Sequence, residues 1–268
     1  MLSYQHDYHA GNHADVLKHW LLVECVHYLQ QKPAAFEYID THAGSGWYRL
    51  DSPLARQTGE AAAGIGRLLQ QPLPEMAGYL ELVRAAVARQ RYPGSCALVN
   101  ELLRPQDRAW LYELHPQAFA ALEQQCARPR QSFVRKADGL RALSGLLPVA
   151  SRRALVLIDP SYELKSDYHD AAEAVVQAWR KMPQATFLLW YPQVDPVRVR
   201  HLERRLRQAA LPELCRFELT VGRPAGGGRL RGSGVLVVNP PYTLKARVDA
   251  VLPRLAAILR QPDGASRR

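Results

Sequence analysis

Four carboxylates stand at or just beyond the ends of short apolar runs: Asp40 closes residues 36–40, Glu113 closes 110–113, Asp138 follows 133–136, and Asp159 follows 154–158. The first opens Asp40-Thr41-His42-Ala43-Gly44-Ser45-Gly46, where Gly44 and Gly46 permit a tight turn and let a nucleotide-like ligand lie against the backbone. Glu113 suits a ribose, because a carboxylate accepts both hydroxyl protons. Asp138-Gly139 supplies a third acid, and Asp159-Pro160-Ser161-Tyr162 sets a carboxylate, a prolyl carbonyl and an aromatic ring on one turn. In an open α/β sheet the ligand lies outside the carboxyl ends of the parallel strands, so these distant residues converge if their strands are neighbours. Plainer alternatives are a simple strand-to-helix turn for the glycine string and a proline turn with a buried tyrosine for 159–162.

The amino terminus concentrates His6, His9, His13 and His19 with Asp7 and Asp15. A metal site is the tempting reading, but metal-binding helices favour i, i+4 histidine pairs with a third ligand elsewhere, and these histidines straddle a loop and a helix start. A phosphate or nucleoside contact fits better, with Lys18 and His19 as donors beside the free N–H groups of the helix start. A second tetrapeptide, Asn239-Pro240-Pro241-Tyr242, resembles 159–162 in text. If the strand before it is an antiparallel return strand, its end faces the opposite rim from the acids, and Asn239 is a structural turn.

The elements that would hold these residues alternate between helical and strand patterns, which points to an α/β fold. Asn12 and Asp15 mark a helix start, and Val16, Leu17, Trp20, Leu21 and Tyr28 recur at helical spacing. Strands are expected at 36–40, 110–113, 133–136, 154–158 and 186–191. Residues 56–91 are rich in Ala, Leu and Glu with no strand pattern, so a helical insertion subdomain is expected over 54–93 of one domain spanning 1–268. Strands at 217–221 and 235–238 flank a glycine- and arginine-rich segment, 222–234, as a long-tipped terminal hairpin. The tail 261–268 is polar.

Composition narrows the class. In 268 residues, 47% apolar and 22% charged is the balance of a water-soluble globular protein, large enough to fold without metal or disulfide staples. Cys25, Cys96, Cys126 and Cys215 include no C-x-x-C pair and read as reduced core thiols. No apolar run reaches the length of a membrane span, and the first residues lack a signal core, so the expected location is the cytoplasm. A net charge of +10 favours a polyanionic partner. Arginine clusters at 128–136, 152–153, 198–207 and the hairpin tip read as solvated faces or, if gathered on one rim, as a phosphate-tracking surface.

Asp159-Pro160-Ser161-Tyr162 looks like the D-P-P-Y loop of amino-group methyltransferases, departing from it at Ser161. By that resemblance, the Asp side chain and the Pro carbonyl accept hydrogen bonds from an exocyclic amine, and Tyr162 offers a stacking face. The opening Met1-Leu2-Ser3-Tyr4, His6 and the string 9–19 resemble the start of the bacterial RlmJ family. The likeness continues through 40–46, 92–95, 113–116, 137–139, 157–160 and 189–192, nearly to Leu259. It implies a Rossmann-like class I methyltransferase sheet with a small helical insertion, S-adenosylmethionine as cofactor, and 23S rRNA or its precursor as partner. It implies methylation of the N6 amine of one adenine; the base must leave its stack to be reached, and the protein is expected to be a monomer. Cofactor contacts are expected at Lys18, His19, His42, Gly44, Gly46, Ser95, Glu113, Asp138, Gly139 and Asp159. Asp159, Pro160 and Tyr162 are expected to be catalytic, Tyr4 and Tyr162 to meet the substrate, and no metal to be held.

Three other readings compete. A protein glutamine amide as methyl acceptor would require Asn239 rather than Asp159. An RNA-binding assembly factor would keep the basic surface with a vestigial pocket. A nicotinamide-linked dehydrogenase is disfavoured, because the glycine loop lacks the third glycine at the usual spacing.

Overall fold

Tyr38 and Ile39 are both wholly buried, yet they belong to different cores, because successive strand side chains point to opposite sheet faces. The same alternation sends Leu155 and Leu157 to one core and Val156 and Ile158 to the other. A strand apolar at every position must be covered on both sides, and helices do so here. Each buried Leu, Val or Ile side chain contributes on the order of 1.5–3 kcal/mol relative to exposure.

The computed structural model describes residues 6–211, 213–222 and 230–261, without the Asp7 side chain. In chain order, helix α1 (His13–Gln30) leads to β1 (Glu37–Asp40) and β2 (Trp47–Arg49). Helices α2 (Pro53–Thr58), α3 (Arg67–Gln70) and α4 (Ala77–Ala88) precede β3 (Arg91–Pro93) and α5 (Ser95–Leu102). Then β4 (Arg108–Tyr112), α6 (Pro116–Cys126), β5 (Ser132–Arg135), α7 (Gly139–Leu146), β6 (Ala154–Ile158), α8 (Asp167–Lys181), β7 (Thr186–Pro192) and α9 (Pro196–Gln208) alternate. The chain closes with β8 (Leu214–Thr220), β9 (Gly232–Val238) and α10 (Leu244–Leu259).

The main sheet has seven strands in the order β5-β4-β1-β6-β7-β9-β8. Strands β5, β4, β1, β6 and β7 run parallel, with Ile39 opposite both Trp110 and Val156. The order reverses at β1, so the crevice between β1 and its neighbours opens at the carboxyl edge. Strand β9 is antiparallel to both β7 and β8. This is the Rossmann-like class I methyltransferase sheet with its terminal hairpin. Of the hairpin's loop, residues 223–229, with Arg223 and Arg229, lie outside the described residues, as do Tyr4 and the tail 262–268.

One expectation is corrected. Residues 54–93 are largely helical, but they end in a strand: β3 pairs antiparallel with β2 in a separate two-stranded ribbon. Three-residue strands carry no periodicity to read, and the pairing partners are more than forty positions apart.

The reversed β9 delivers Asn239 to the edge opposite the carboxyl ends of the parallel strands. There Asn239, at φ 52, donates its side-chain amide to the Gln184 carbonyl at 2.8 Å and accepts from the Thr186 hydroxyl with its own carbonyl. It is a turn residue in this fold. Among the described residues, no helix is long and apolar enough to cross a membrane.

Candidate active site

Three of the four acidic strand ends, Glu113, Asp138 and Asp159, border one cleft of about 1360 Å³ at the carboxyl edge of the sheet, and Asp40 is buried beneath its glycine loop. The floor of the cleft comes from the start of α1. Asn12, the residue before the helix, accepts hydrogen bonds from the N–H groups of Ala14 and Asp15, while its own amide donates to Glu60. With those N–H groups capped by the protein itself, the helix start does not offer them to an anion.

One helical turn further in, Lys18 is 4% exposed and stands between two carboxylates: Nζ is 2.9 Å from Asp15 Oδ1 and 2.5 Å from Asp159 Oδ2. Burial alone would lower the Lys18 ammonium, but the two acids hold it above its ordinary value. Burial likewise would raise Asp15, yet His6, Lys18 and His19 keep it well below the usual carboxylate range. Asp15 also accepts the Gly11 N–H at 3.0 Å and pairs with His6 Nε2 at 3.0 Å. His19 is buried, with Nδ1 2.8 Å from the Tyr92 hydroxyl, and burial lowers it to about 3. His9 pairs with Glu60 at 3.0 Å. The histidines at 6, 9 and 19 thus have protein partners.

The glycine loop is held from within. Asp40 accepts from the Tyr38 hydroxyl at 2.7 Å, the Ser95 hydroxyl at 2.6 Å and the His42 N–H at 3.2 Å. Burial nevertheless raises Asp40 to about 6. Desolvation lowers His42 to about 4, leaving its imidazole neutral at pH 7. Glu113 Oε2 accepts the Gly44 N–H at 2.9 Å and Oε1 the His115 N–H at 2.7 Å, so each oxygen keeps a second lone pair. Asp138 caps α7 through the Arg141 N–H. Gly139 meets the chain so closely that a Cβ there would lie 2.2 Å from the Thr41 carbonyl oxygen.

The 159–162 turn opens into the same cleft. Tyr162 sits at φ 55, a left-handed conformation costing about 1–3 kcal/mol for a residue with a side chain. Its hydroxyl donates to the Trp190 carbonyl at 2.5 Å, and its ring is tilted against Tyr168 and Trp190. Lys18 Nζ lies 5.8 Å above the Trp190 ring.

The structure therefore brings Lys18, His19, His42, Gly44, Ser95, Glu113, Asp138, Gly139, Asp159, Pro160 and Tyr162 to one cleft. Gly46 does not line it: at φ 83 it turns the chain against Cys126, with 2.5 Å left for a Cβ. Sequence reasoning did not single out Asp15 as part of the site. The signal that ties it to the site is its place three residues before Lys18, where a helix puts the two on one face.

The chain from residue 33 to 268 matches the family model described as "Ribosomal RNA large subunit methyltransferase D, RlmJ". The chain belongs to this family. Ribosomal RNA large subunit methyltransferase J of Escherichia coli (strain K12) is 38% identical over 260 residues, covering 95% of this chain and 93% of that protein. The Haemophilus influenzae protein of the same name is 38% identical over 270 residues, covering 98% and 96%. A crystal structure of a Legionella pneumophila protein superposes with a TM-score of 0.87 at 31% identity, covering 95% of this chain and 96% of the other. The family's methyl donor is the group the cleft must accommodate. Its fit rests on Glu113, whose remaining lone pairs suit a ribose diol, on the close backbone approach at Gly139, and on acids that complement a sulfonium cation.

Proposed function

We propose that this chain methylates the exocyclic N6 amine of one adenine in 23S rRNA, with the base extruded from its stack into the cleft. The observation that carries the reading is the Asp159-Pro160-Ser161-Tyr162 turn, which lines the same cleft as Glu113, Asp138 and Gly139. S-adenosylmethionine, when bound, supplies an electrophilic methyl group; Glu113, Asp138, Gly139, His42 and Ser95 are the residues proposed to hold it.

An aromatic amine is a poor nucleophile because its lone pair is delocalised into the ring. Two acceptors in a dry site favour the pyramidal, nucleophilic form. Asp159 Oδ2 is engaged by Lys18, and Oδ1 is left as acceptor for one amine proton. The Pro160 carbonyl takes the other. The Lys18 ammonium, donating to Oδ2, fixes the orientation of the Asp159 side chain. The Tyr162 ring, fixed by its hydroxyl bond to Trp190, offers a surface for the base. A base must leave the stack to reach such a pocket, at a cost of a few kcal/mol.

The deciding experiment incubates the protein with labelled cofactor and unmodified 23S rRNA fragments, then maps the modified base by mass. Asp159→Ala should abolish transfer while keeping the thermal stabilisation given by the cofactor. Retained turnover in that variant would refute the assignment, and a modified atom other than adenine N6 would refute the acceptor.

A further inference from the structure

The ribbon β2–β3 separates two surfaces. Its inner residues, Tyr48 and Tyr92, are buried, and the Tyr48 hydroxyl accepts the Ser45 N–H of the glycine loop at 3.2 Å. Its outer residues are Trp47, Arg49 and Arg91, since side chains alternate along a strand. Arg49 and Arg91 are directly paired across the ribbon, and like charges directly opposed destabilise a sheet. Asp51 relieves Arg49 in part, at 2.9 Å, and the Arg91 guanidinium lies 4.8 Å from the Trp47 ring centre. Arg89, exposed at the end of α4, adds a third cation with no carboxylate partner among the described residues.

These side chains line a groove of about 550 Å³ that shares Tyr48 with the main cleft. A hydrogen-bond relay also joins the two: Arg91 donates to the Gln125 side-chain oxygen Oε1 at 3.1 Å, and the Gln125 side-chain amide donates to the Ser45 carbonyl at 3.1 Å. A guanidinium laid over an indole, with further arginines beside it, makes a surface for an unpaired nucleotide, whose phosphate meets the arginines and whose base stacks on the Arg91 guanidinium plane that Trp47 supports.

We infer that the outer face of β2–β3 is a second RNA subsite, at which Arg49, Arg89, Arg91 and Trp47 bind the single-stranded phosphodiester chain next to the target nucleotide. This rests on rRNA being the substrate. Each phosphate contact to a single strand steepens the salt dependence of binding by a log–log slope of about 0.7. Losing two therefore flattens it by about 1.4.

The test measures binding of unmodified 23S rRNA fragments by wild-type protein, by Arg89→Gln and by Arg89→Gln/Arg91→Gln across a salt series. Cofactor affinity and thermal melting are followed in parallel. Fragments carrying 4-thiouridine are crosslinked to the wild type and mapped by mass. The expected result is roughly tenfold weaker RNA binding in the double variant and a shallower salt slope, with cofactor affinity kept and a crosslink in 47–49 or 89–91. Arg89→Gln, at an exposed position, should show the same trend if the double variant melts early. Wild-type methylation with unaltered RNA affinity and slope in the variants would overturn the subsite and leave the proposed function standing. Failure of the wild type to bind or methylate these fragments would overturn both.

Discussion

Lys18 Nζ lies 2.5 Å from Asp159 Oδ2, joining the second turn of the first helix to a strand-end loop 141 residues later. The same ammonium holds Asp15, so one buried cation serves two buried or half-buried carboxylates. Removing it strands both.

Lys18→Met should therefore lower stability by about 3–5 kcal/mol, the range for breaking a buried ion pair. It should also end methyl transfer. Thermal melts of Lys18→Met, Asp159→Asn and the double variant test this, with a coupling of at least about 1 kcal/mol expected between the two sites. Additive effects would contradict the pairing.

Protonation supplies a second prediction. His13 and His42, each lowered to about 4, and His19, lowered to about 3, stay neutral in the fold, mainly through burial. The unfolded chain protonates them near 6.5, so it binds more protons and stability falls as pH drops from about 6.5 toward 4. Asp40, raised to about 6, has the opposite sign: its contribution is complete below about 4 and is lost as pH rises through 6. Near pH 5 the three histidines outweigh the one aspartate, so unfolding takes up protons on balance and stability falls as the pH is lowered. Asp15, held low, adds its loss only at more acidic pH. Urea unfolding from pH 4.5 to 7 measures this fall, and a flat profile would refute it.

Gly139→Ala tests the packing of α7 on β1. The added methyl meets Thr41 backbone atoms at 2.2 to 2.7 Å, which cannot yield as a flexible side chain would. A loss of about 1–3 kcal/mol in urea unfolding is expected. Cofactor-induced thermal stabilisation should vanish with it, and wild-type values of both would show that the helix start accommodates a Cβ.

Asn239→Ala separates the two similar tetrapeptides. Loss of the amide bond to Gln184 and a methyl side chain at φ 52 should cost about 1–2 kcal/mol. Methyl transfer at a temperature where the variant is folded should stay within about twofold of wild type. Abolished transfer there would move the chemistry to the wrong edge of the sheet.

The strands of the parallel sheet were legible because full burial imposes an apolar run, as in Ala154–Ile158, with an acid beyond it. Boundaries shifted by a few residues where pairing extended a strand past its apolar part, as at Leu214–Thr220. Strand direction at β9 followed from topology, and it separated Asn239 from Asp159 despite their similar text. What escaped was long-range: the Asp15–Lys18–Asp159 cluster, the Asn12–Glu60 bond and the β2–β3 pairing all join residues whose partners no local pattern names. Lys18, whose place at the helix start suits a donor to an outside anion, is taken by carboxylates of the chain. Tyr162 was read as a stacking face; its left-handed backbone and its bond to Trp190 are three-dimensional facts.

The joint between α1 and the loop after β6 also sets an order of events during synthesis. The receiving carboxylate is made only after more than half of the polypeptide, so a shorter fragment has only Asp15 of the two carboxylates that hold Lys18 in the fold. The pocket floor therefore cannot close before residue 159 is made, and shorter fragments lack the Lys18–Asp159 pair however well their early helices form.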